Sequence, residues 1–199
     1  MALAEDRMFS SAVQLICEKG AANTTLKEIC ELAGYSRALA SMRYGSKGAF
    51  LDALVRYLDN RRAEFVRQSV GDTKGLKSLR LTMDAVTELL ILEPLYTKCL
   101  HILRFESLSG FDPLGVTLAA LLRERRRNTA RILREAIDLG EISADIDCEI
   151  LSFQVASSSL GSIYQWLIEP GGIDIKAAMD NYRDLTFQLL KSFPAKPSA

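Results

Sequence analysis

Three basic residues, Arg37, Arg43 and Lys47, occupy a stretch that holds no acidic side chain between Glu31 and Asp52. Guanidinium and ammonium groups bind phosphate oxygens, and the small side chains that lie among them let a helix approach base edges. The pattern indicates a surface suited to double-stranded DNA. Any helical hairpin with a solvated basic face has a similar composition, and that second interpretation stays open on spacing alone.

Two short helices are expected to carry these residues. Thr25 stands three residues before Glu28, the spacing of a capping box, and Gly34 ends the helix that they begin. Ser36 is the expected N-cap of a second helix that runs to about Arg43. Two short helices joined by a turn with Gly34 are the sequence form of a helix-turn-helix. The hydroxyls that stand at helix N-termini and suit phosphate oxygens belong to Thr24, Thr25 and Ser36.

The rest of the chain also has helical periodicity, and no alternating run of β-branched residues predicts a strand. Gly, Pro and Asp clusters separate the predicted helices. Beyond the first four, the expected ranges are about 76–92, 94–107, 114–139, 148–168 and a last helix that ends near 193. The sequence therefore predicts an all-α protein of about nine helices.

Composition excludes several classes of protein. The 199 residues carry 25 Lys plus Arg and 25 Asp plus Glu, so a wholesale polyanion binder is not expected, whereas a local basic patch is compatible. The longest apolar run, Leu118 to Leu122, is far short of the ~20 residues of a membrane span. Four scattered cysteines and an acidic start without a secretory signal predict a cytoplasmic protein without disulfides or zinc.

The segment AVQLICEKGAANTTLKEICELAGYSRALASMRYGSKGAFLDALV combines several further features. It has a first helix with a Gly stop, a Thr-Thr opening of the second helix, an Ala33-Gly34-x-Ser36 turn, and an aromatic-x-Ser-Lys ending at Tyr44. This combination resembles the TetR-type bacterial transcriptional regulators. REAIDLGEISADID and YQWLIEPGGID are similar, more loosely, to the C-terminal half of many members.

The resemblance implies a helix-turn-helix DNA-binding domain at 1–47, a helical ligand-binding and dimerisation domain at 48–193, and a tail at 194–199. It implies a cytoplasmic homodimer that binds operator DNA, usually as a repressor, and is released by a small-molecule effector. No enzyme activity and no cofactor are expected. Residues expected at the DNA are Thr24, Thr25, Ser36, Arg37, Ala38, Ser41, Met42, Arg43, Tyr44 and Lys47.

One departure from the family pattern lies in the expected recognition helix. Members usually carry an aromatic residue that contacts the DNA backbone where this chain has Ser41 and Met42. Loss of one phosphate contact makes the plot of log affinity against log salt concentration less steep by about one unit. Arg43, where relatives often have His, offers a replacement charge. Tyr44 would anchor the helix to the domain core, and its hydroxyl could also reach a phosphate.

The last two predicted helices have the pattern of a dimer interface. A face of small residues in helix 148–168 permits close approach, and the final helix repeats apolar residues at near-heptad spacing. Ordinary packing within one chain is the alternative, whereas a four-helix bundle between two subunits fits the resemblance. The expected interface residues are Ser158, Gly161, Ser162, Gln165, Trp166, Met179, Tyr182, Leu185 and Leu189.

The middle helices are expected to line a pocket. Arg125 and Thr129 fall on the apolar stripe of helix 114–139, where Arg125 either pairs with an inner carboxylate such as Glu93 or Glu106 or meets an anionic group of a ligand. The expected effector is mostly apolar, with room for an acidic group. The candidate lining residues are Met83, Val86, Leu90, His101, Phe105, Phe111, Arg125 and Thr129.

Other functions have less support in the sequence. No nucleophile–base pair, paired carboxylates, Gly-rich phosphate loop or metal-ligand cluster favours an enzyme or carrier. A helix-turn-helix protein that has lost DNA binding and acts as a protein-interaction module is the stronger alternative, because Ser41 and Met42 replace the usual aromatic residue. Cys17 and Cys30 are interpreted as core cysteines rather than redox sensors, since a free Cys packs as a small apolar side chain.

Overall fold

The computed structural model describes residues 2–109 and 113–194. Within those ranges the chain forms nine α-helices and one 3-10 turn, Ser107–Ser109, and it contains no strand. The helices are α1 Ala2–Lys19, α2 Leu26–Ala33, α3 Arg37–Tyr44, α4 Lys47–Val70, α5 Gly75–Leu92, α6 Pro94–Glu106, α7 Pro113–Asp138, α8 Cys148–Ile168 and α9 Ile175–Lys191. The predicted all-α class with an N-terminal helix-turn-helix is confirmed. Of the predicted tail, only Pro194 lies inside the described residues.

Local signals in the sequence set the ends of these helices. Asp147 caps α8, where its Oδ1 accepts hydrogen bonds from the N–H groups of Glu149 and Ile150 at 2.9 and 3.0 Å. Asp174 caps α9 in the same way, accepting from Ala177 N at 3.0 Å. Pro94 occupies the first turn of α6, where a missing N–H costs nothing. Such caps satisfy backbone groups that would otherwise lack partners.

The chain divides into two compact units, each with its own core. One comprises Met1–Arg61 and Glu93–Ala120, and the other comprises Arg62–Leu92 and Leu121–Ala199. Both long helices, α4 and α7, therefore contribute residues to each unit. The boundary expected between residues 47 and 48 separates the expected DNA-binding domain from the expected ligand-binding and dimerisation domain, rather than two compact units. It stays a prediction.

The core of the first unit is built on α1. This helix packs against α2 and α6. Its Met8, Phe9, Val13 and Ile16 side chains are at most 2% exposed. The Phe9 ring lies 5.5 Å from the Phe50 ring of α4, centroid to centroid. This apolar contact ties the start of α4 to the first helix.

The second unit has two groups of buried side chains. The larger group brings together α5, α7, α9 and the connection after α7, with Leu79, Leu133 and Leu190 at its centre. The smaller group contains Leu90, Ile163, Ile175 and Met179, packed by the partly buried Val86, Trp166, Leu167 and Tyr182. The residues of one chain form each group.

No described helix combines the length and the apolar character that crossing a bilayer requires. Among the described residues, His, Cys, Asp and Glu side chains do not gather in groups of three or more that could hold a metal ion.

Candidate nucleic-acid interface

The predicted capping box at the start of α2 is present. Glu28 N donates to Thr25 Oγ1 at 3.2 Å, and Thr25 N donates to Glu28 Oε2 at 2.9 Å. Lys19 adds an ion pair, with its Nζ 2.5 Å from Glu28 Oε1. The hydrogen bonds from Lys19 and Thr25 lower the pKa of Glu28 to about 2. The Thr25 hydroxyl also donates to Glu28 Oε2 at 2.7 Å, so it is already engaged in the cap.

The turn between α2 and α3 depends on Gly34, whose φ is 79°. Tyr35 N donates to Cys30 O at 2.8 Å and Gly34 N donates to Glu31 O at 3.2 Å, the two bonds of a Schellman motif. Ser36 then occupies the N-cap position of α3, as predicted, but its hydroxyl makes no capping hydrogen bond. The geometry of the turn therefore comes from the glycine rather than from Ser36.

One face of α3 is exposed. Arg37, Ala38, Ser41 and Met42 are exposed, and Met42 is 82% exposed. Ala40, on the opposite face, is 1% exposed. Positions i, i+1, i+4 and i+5 share one side of a helix, so these four residues form a single outward surface. We refer to these four residues as the recognition face.

Tyr44 anchors the end of α3, as expected. Its ring meets Phe50 edge-on, with centroids 5.0 Å apart, and its hydroxyl donates to Glu5 Oε1 at 2.8 Å. Burial, together with this carboxylate, raises the pKa of Tyr44 to about 12, so the hydroxyl stays protonated and donates. The hydroxyl is thereby held against α1.

Glu5 also pairs with Arg43, a contact that sequence reasoning missed. Arg43 Nη2 lies 2.7 Å from Glu5 Oε2, and the two side chains retain 34% and 29% exposure. The linear stretch around α3 lacks acidic residues, yet α1 supplies one in space. No local pattern signals this contact, because Glu5 and Arg43 are 38 positions apart. The positive charge available beside α3 is accordingly smaller than the sequence suggests.

Two further candidates lie at the loop between α1 and α2. Thr24 is 1% exposed and its hydroxyl donates to Gly20 O at 2.7 Å, so the side chain faces the interior and not a phosphate. This arrangement does not favour the expected DNA contact of Thr24, which stays a prediction. Lys47 Nζ donates to Ala22 O at 3.1 Å and keeps partial exposure. Lys47 therefore lies beside the loop that precedes α2.

The expected dimer residues fall into two groups. Ser158, Gln165, Leu185 and Leu189 are exposed. The others are wholly or partly enclosed by their own chain: Gly161, Ser162, Trp166, Met179 and Tyr182. Met179 is 2% exposed, so its side chain belongs to the core of its own chain. The Tyr182 hydroxyl likewise donates to Val155 O at 2.7 Å.

Helix α8 has an exposed apolar stripe that sequence reasoning did not single out. Ile150, Phe153, Tyr164 and Ile168 are 61%, 54%, 45% and 70% exposed. At 3.6 residues per turn these four side chains fall within an arc of about 60°. We refer to them as the α8 stripe. Hydropathy identified the helix, but only the packing shows which apolar residues its own chain leaves uncovered.

The expected pocket residues are distributed over both units. Three of them are buried: Met83, Leu90 and His101. Three are partly buried: Val86, Arg125 and Thr129. Phe105 is exposed, and Phe111 lies outside the described residues. His101 Nδ1 is 2.9 Å from Thr97 O, one turn earlier in α6. The two carboxylates considered as partners of Arg125 have contacts in the first unit. Glu93 pairs with Arg61, and Glu106 accepts from Ala21 N and Ala22 N at 3.0 Å each.

The comparisons agree with this architecture. Residues 9–54 match the family model described as bacterial regulatory proteins, tetR family. The HTH-type transcriptional regulator TtgR of Pseudomonas putida is 21% identical over 193 residues, which cover 95% of this chain and 92% of that protein. The probable HTH-type regulator ArpR of the same species is also 21% identical over 193 residues, with coverage of 95% and 92%.

Solved structures show the same fold. A protein described as a TetR-family regulator from Rhodococcus sp. has a TM-score of 0.82 at 17% identity, covering 96% of this chain and 100% of that one. SmeT, described as the repressor of the Stenotrophomonas maltophilia multidrug efflux pump SmeDEF, has a TM-score of 0.78 at 22% identity, covering 98% and 91%. The chain thus has the TetR-type fold with a TetR-type N-terminal domain, and the resemblance in its sequence is confirmed.

Proposed function

We propose that this protein is a homodimeric transcription regulator that binds operator DNA through α3 and acts as a repressor. The observation that carries the proposal is the recognition face, which presents Arg37 beside the small side chains of Ala38 and Ser41. A helix with such a surface enters the major groove, where an Arg can donate to the O6 and N7 atoms of a guanine. Lys47, beside the loop that precedes α2, is expected to bind a phosphate.

Dimer formation is the second part of the proposal. The α8 stripe consists of exposed apolar and aromatic side chains, and α9 adds Leu185 and Leu189, which are 54% and 48% exposed. Exposed apolar patches of this kind mark interaction surfaces. A two-fold partner using the same surface would cover both helices. To read DNA together, the two copies of α3 in such a dimer would have to lie about one DNA turn, ~34 Å, apart. The operator is therefore expected to be a pseudo-palindrome.

The third part of the proposal is release by a small, mostly apolar molecule. SmeT, which shares this fold, has also been solved as a complex with triclosan. An effector lowers operator affinity only if it binds the released state more tightly than the DNA-bound state. The candidate residues for effector contact remain those named from the sequence, with Arg125 suited to an acidic group.

The experiment that tests DNA binding begins with selection of binding fragments from random-sequence duplexes. The selected duplex is then titrated with the protein and with a triple variant, Arg37→Ala, Arg43→Ala and Lys47→Ala. Loss of binding with the dimer intact by size-exclusion chromatography is expected. The exposed Arg67, at the far end of α4, supplies the control R67A, which should bind as the parent does.

The alternative function is a protein-interaction module. Met42 is 82% exposed where relatives usually carry an aromatic residue, and Glu5 neutralises Arg43, so both features weaken the expected contacts with DNA. If selection at low salt enriches no sequence and the triple variant behaves as the parent does, this alternative replaces the regulator.

A further inference from the structure

The thiols of Cys17 on α1 and Cys99 on α6 lie against each other. Cys17 Sγ donates a hydrogen bond to Leu95 O at 3.3 Å. Cys99 follows Leu95 by one helical turn, on the same side of α6, so the two thiols are neighbours, and their interaction shifts the pKa of each. Both helices belong to the first compact unit, in which α1 packs directly on α6. The sequence separates these cysteines by 82 positions and offers no motif that would pair them.

The surroundings make the two sulfurs unequal. Cys17 is partly exposed, whereas Cys99 is 0% exposed. The hydrogen bond from Cys99 lowers the pKa of Cys17, and the positive charge of Lys98 acts in the same direction. The same hydrogen bond and burial raise the pKa of Cys99. Cys17 is thus the sulfur that an oxidant can reach and that more readily forms the nucleophilic thiolate.

The other two cysteines provide an internal comparison. Cys30 and Cys148 are both buried, and burial raises the pKa of each thiol. Neither has the combination of access, a lowered pKa and an adjacent thiol. A reagent that attacks thiolates should therefore distinguish Cys17 from these two residues.

We propose that Cys17 and Cys99 form a peroxide-reactive site that closes to a disulfide between α1 and α6. The Cys17 thiolate attacks one peroxide oxygen, the O–O bond breaks, and the other oxygen leaves as an alcohol or water after taking a proton. Cys17 is then a sulfenic acid. The Cys99 sulfur attacks the Cys17 sulfur, the S–O bond breaks, and water leaves with the Cys99 proton. Two thiols are oxidised and one peroxide is reduced.

This proposal departs from the expectation that Cys17 is a core cysteine rather than a redox sensor, since its side chain is partly exposed. That expectation treated each cysteine by itself, because spacing in the sequence cannot show which sulfurs meet. The packing of α1 on α6 brings Cys17 beside the turn that carries Cys99, and a disulfide between them would have an S–S bond of about 2.05 Å. The site is independent of DNA or effector binding, so its test needs neither.

The test uses the reduced full-length protein and hydrogen peroxide, with catalase added to stop the reaction. The protein is then denatured, its free thiols are alkylated, and unreduced peptides are mapped by mass spectrometry. The proposal predicts that two of the four thiols disappear and that a linked peptide pair joins Cys17 to Cys99. The matched control C148S should lose the same two thiols. C17S should lose none, and C99S should stop at a sulfenic acid on Cys17 that dimedone traps.

Several results would overturn the proposal, and the parent protein alone can give two of them. One is retention of all four thiols at a peroxide dose that oxidises free cysteine in the same tube. Another is a disulfide that joins Cys17 to Cys17 of a second chain. Equal thiol loss in C17S and the parent would also refute it, provided that circular dichroism shows C17S to be folded.

Discussion

Glu5 and Arg43 form an ion pair between α1 and the last turn of α3, with Arg43 Nη2 2.7 Å from Glu5 Oε2. The second carboxylate oxygen of Glu5 accepts from Tyr44 at 2.8 Å. One side chain of α1 therefore holds two consecutive residues of α3. It fixes the end of the helix and at the same time neutralises a charge that would otherwise attract phosphates.

Replacing Glu5 with Gln should strengthen DNA binding. The amide oxygen can still accept from Tyr44, whereas the charge on Arg43 is no longer neutralised. One additional phosphate contact steepens the plot of log affinity against log salt by about one unit. Fluorescence anisotropy on a selected operator at several salt concentrations measures this. The control is Glu18→Gln, on an exposed position of the same helix, and a lower affinity in E5Q than in E18Q would contradict the prediction.

Replacing Gly34 with Ala should destabilise the helix-turn-helix. Its φ of 79° is unfavourable for a side chain, although no atom lies within 4 Å of the new Cβ. The expected loss in the free energy of unfolding is about 1 kcal/mol, from conformation alone. The matched control is Gly48→Ala in the first turn of α4, where φ is ordinary for a helix and a small gain is expected. Urea denaturation measures the free energy of unfolding of both variants, and equal changes in G34A and G48A would refute the prediction.

Replacing Leu185 with Glu should disrupt the proposed dimer. Leu185 is 54% exposed, so the isolated chain tolerates the charge, but an apolar interface does not. Light scattering after size-exclusion chromatography should show a monomer with unchanged helical content. Leu108→Glu is the control, because Leu108 is 79% exposed in the 3-10 turn outside α8 and α9. A fully dimeric L185E would show that α9 is not in the interface.

The capping box gives a pH dependence with a defined sign. Glu28 has its pKa lowered from 4.5 to about 2 by hydrogen bonds from Lys19 and Thr25. Its charged form is favoured in the folded state, so its contribution is present above pH 4.5 and is lost as the pH falls toward 2. The free energies of unfolding of the parent and of Glu28→Gln should approach each other as the pH is lowered from 5, which denaturation at each pH measures. A difference that stays constant down to pH 2 would contradict this sign.

Much of the helix-turn-helix, like the start of α6, is predictable from the sequence because its signals are local. The Thr25 and Glu28 pair, Gly34, and Pro94 each act within a few residues of their own position, and each lies where those signals place it. Asp147 and Asp174 mark the starts of α8 and α9 in the same way. Capping chemistry depends on neighbours along the chain, so no knowledge of tertiary packing is needed.

Contacts between distant segments are not predictable in this way. The Glu5–Arg43 pair and the Cys17–Cys99 contact each join two helices that no short motif connects. Periodicity also shows which face of a helix is apolar without showing what covers it. Met179 shows this limit, because its position in α9 suited an interface and yet its own chain buries it.

Sequence-specific DNA binding by α3 is best measured through the effect of Arg37→Ala on a selected operator. A bidentate Arg contact to a guanine accounts for about 1–3 kcal/mol of discrimination. R37A should therefore lose about tenfold or more in operator affinity while its affinity for unrelated DNA falls much less, and R67A should be unchanged on both. Equal binding of operator and unrelated DNA by the parent, or an R37A variant that keeps full specificity, would show that α3 does not read the sequence through Arg37.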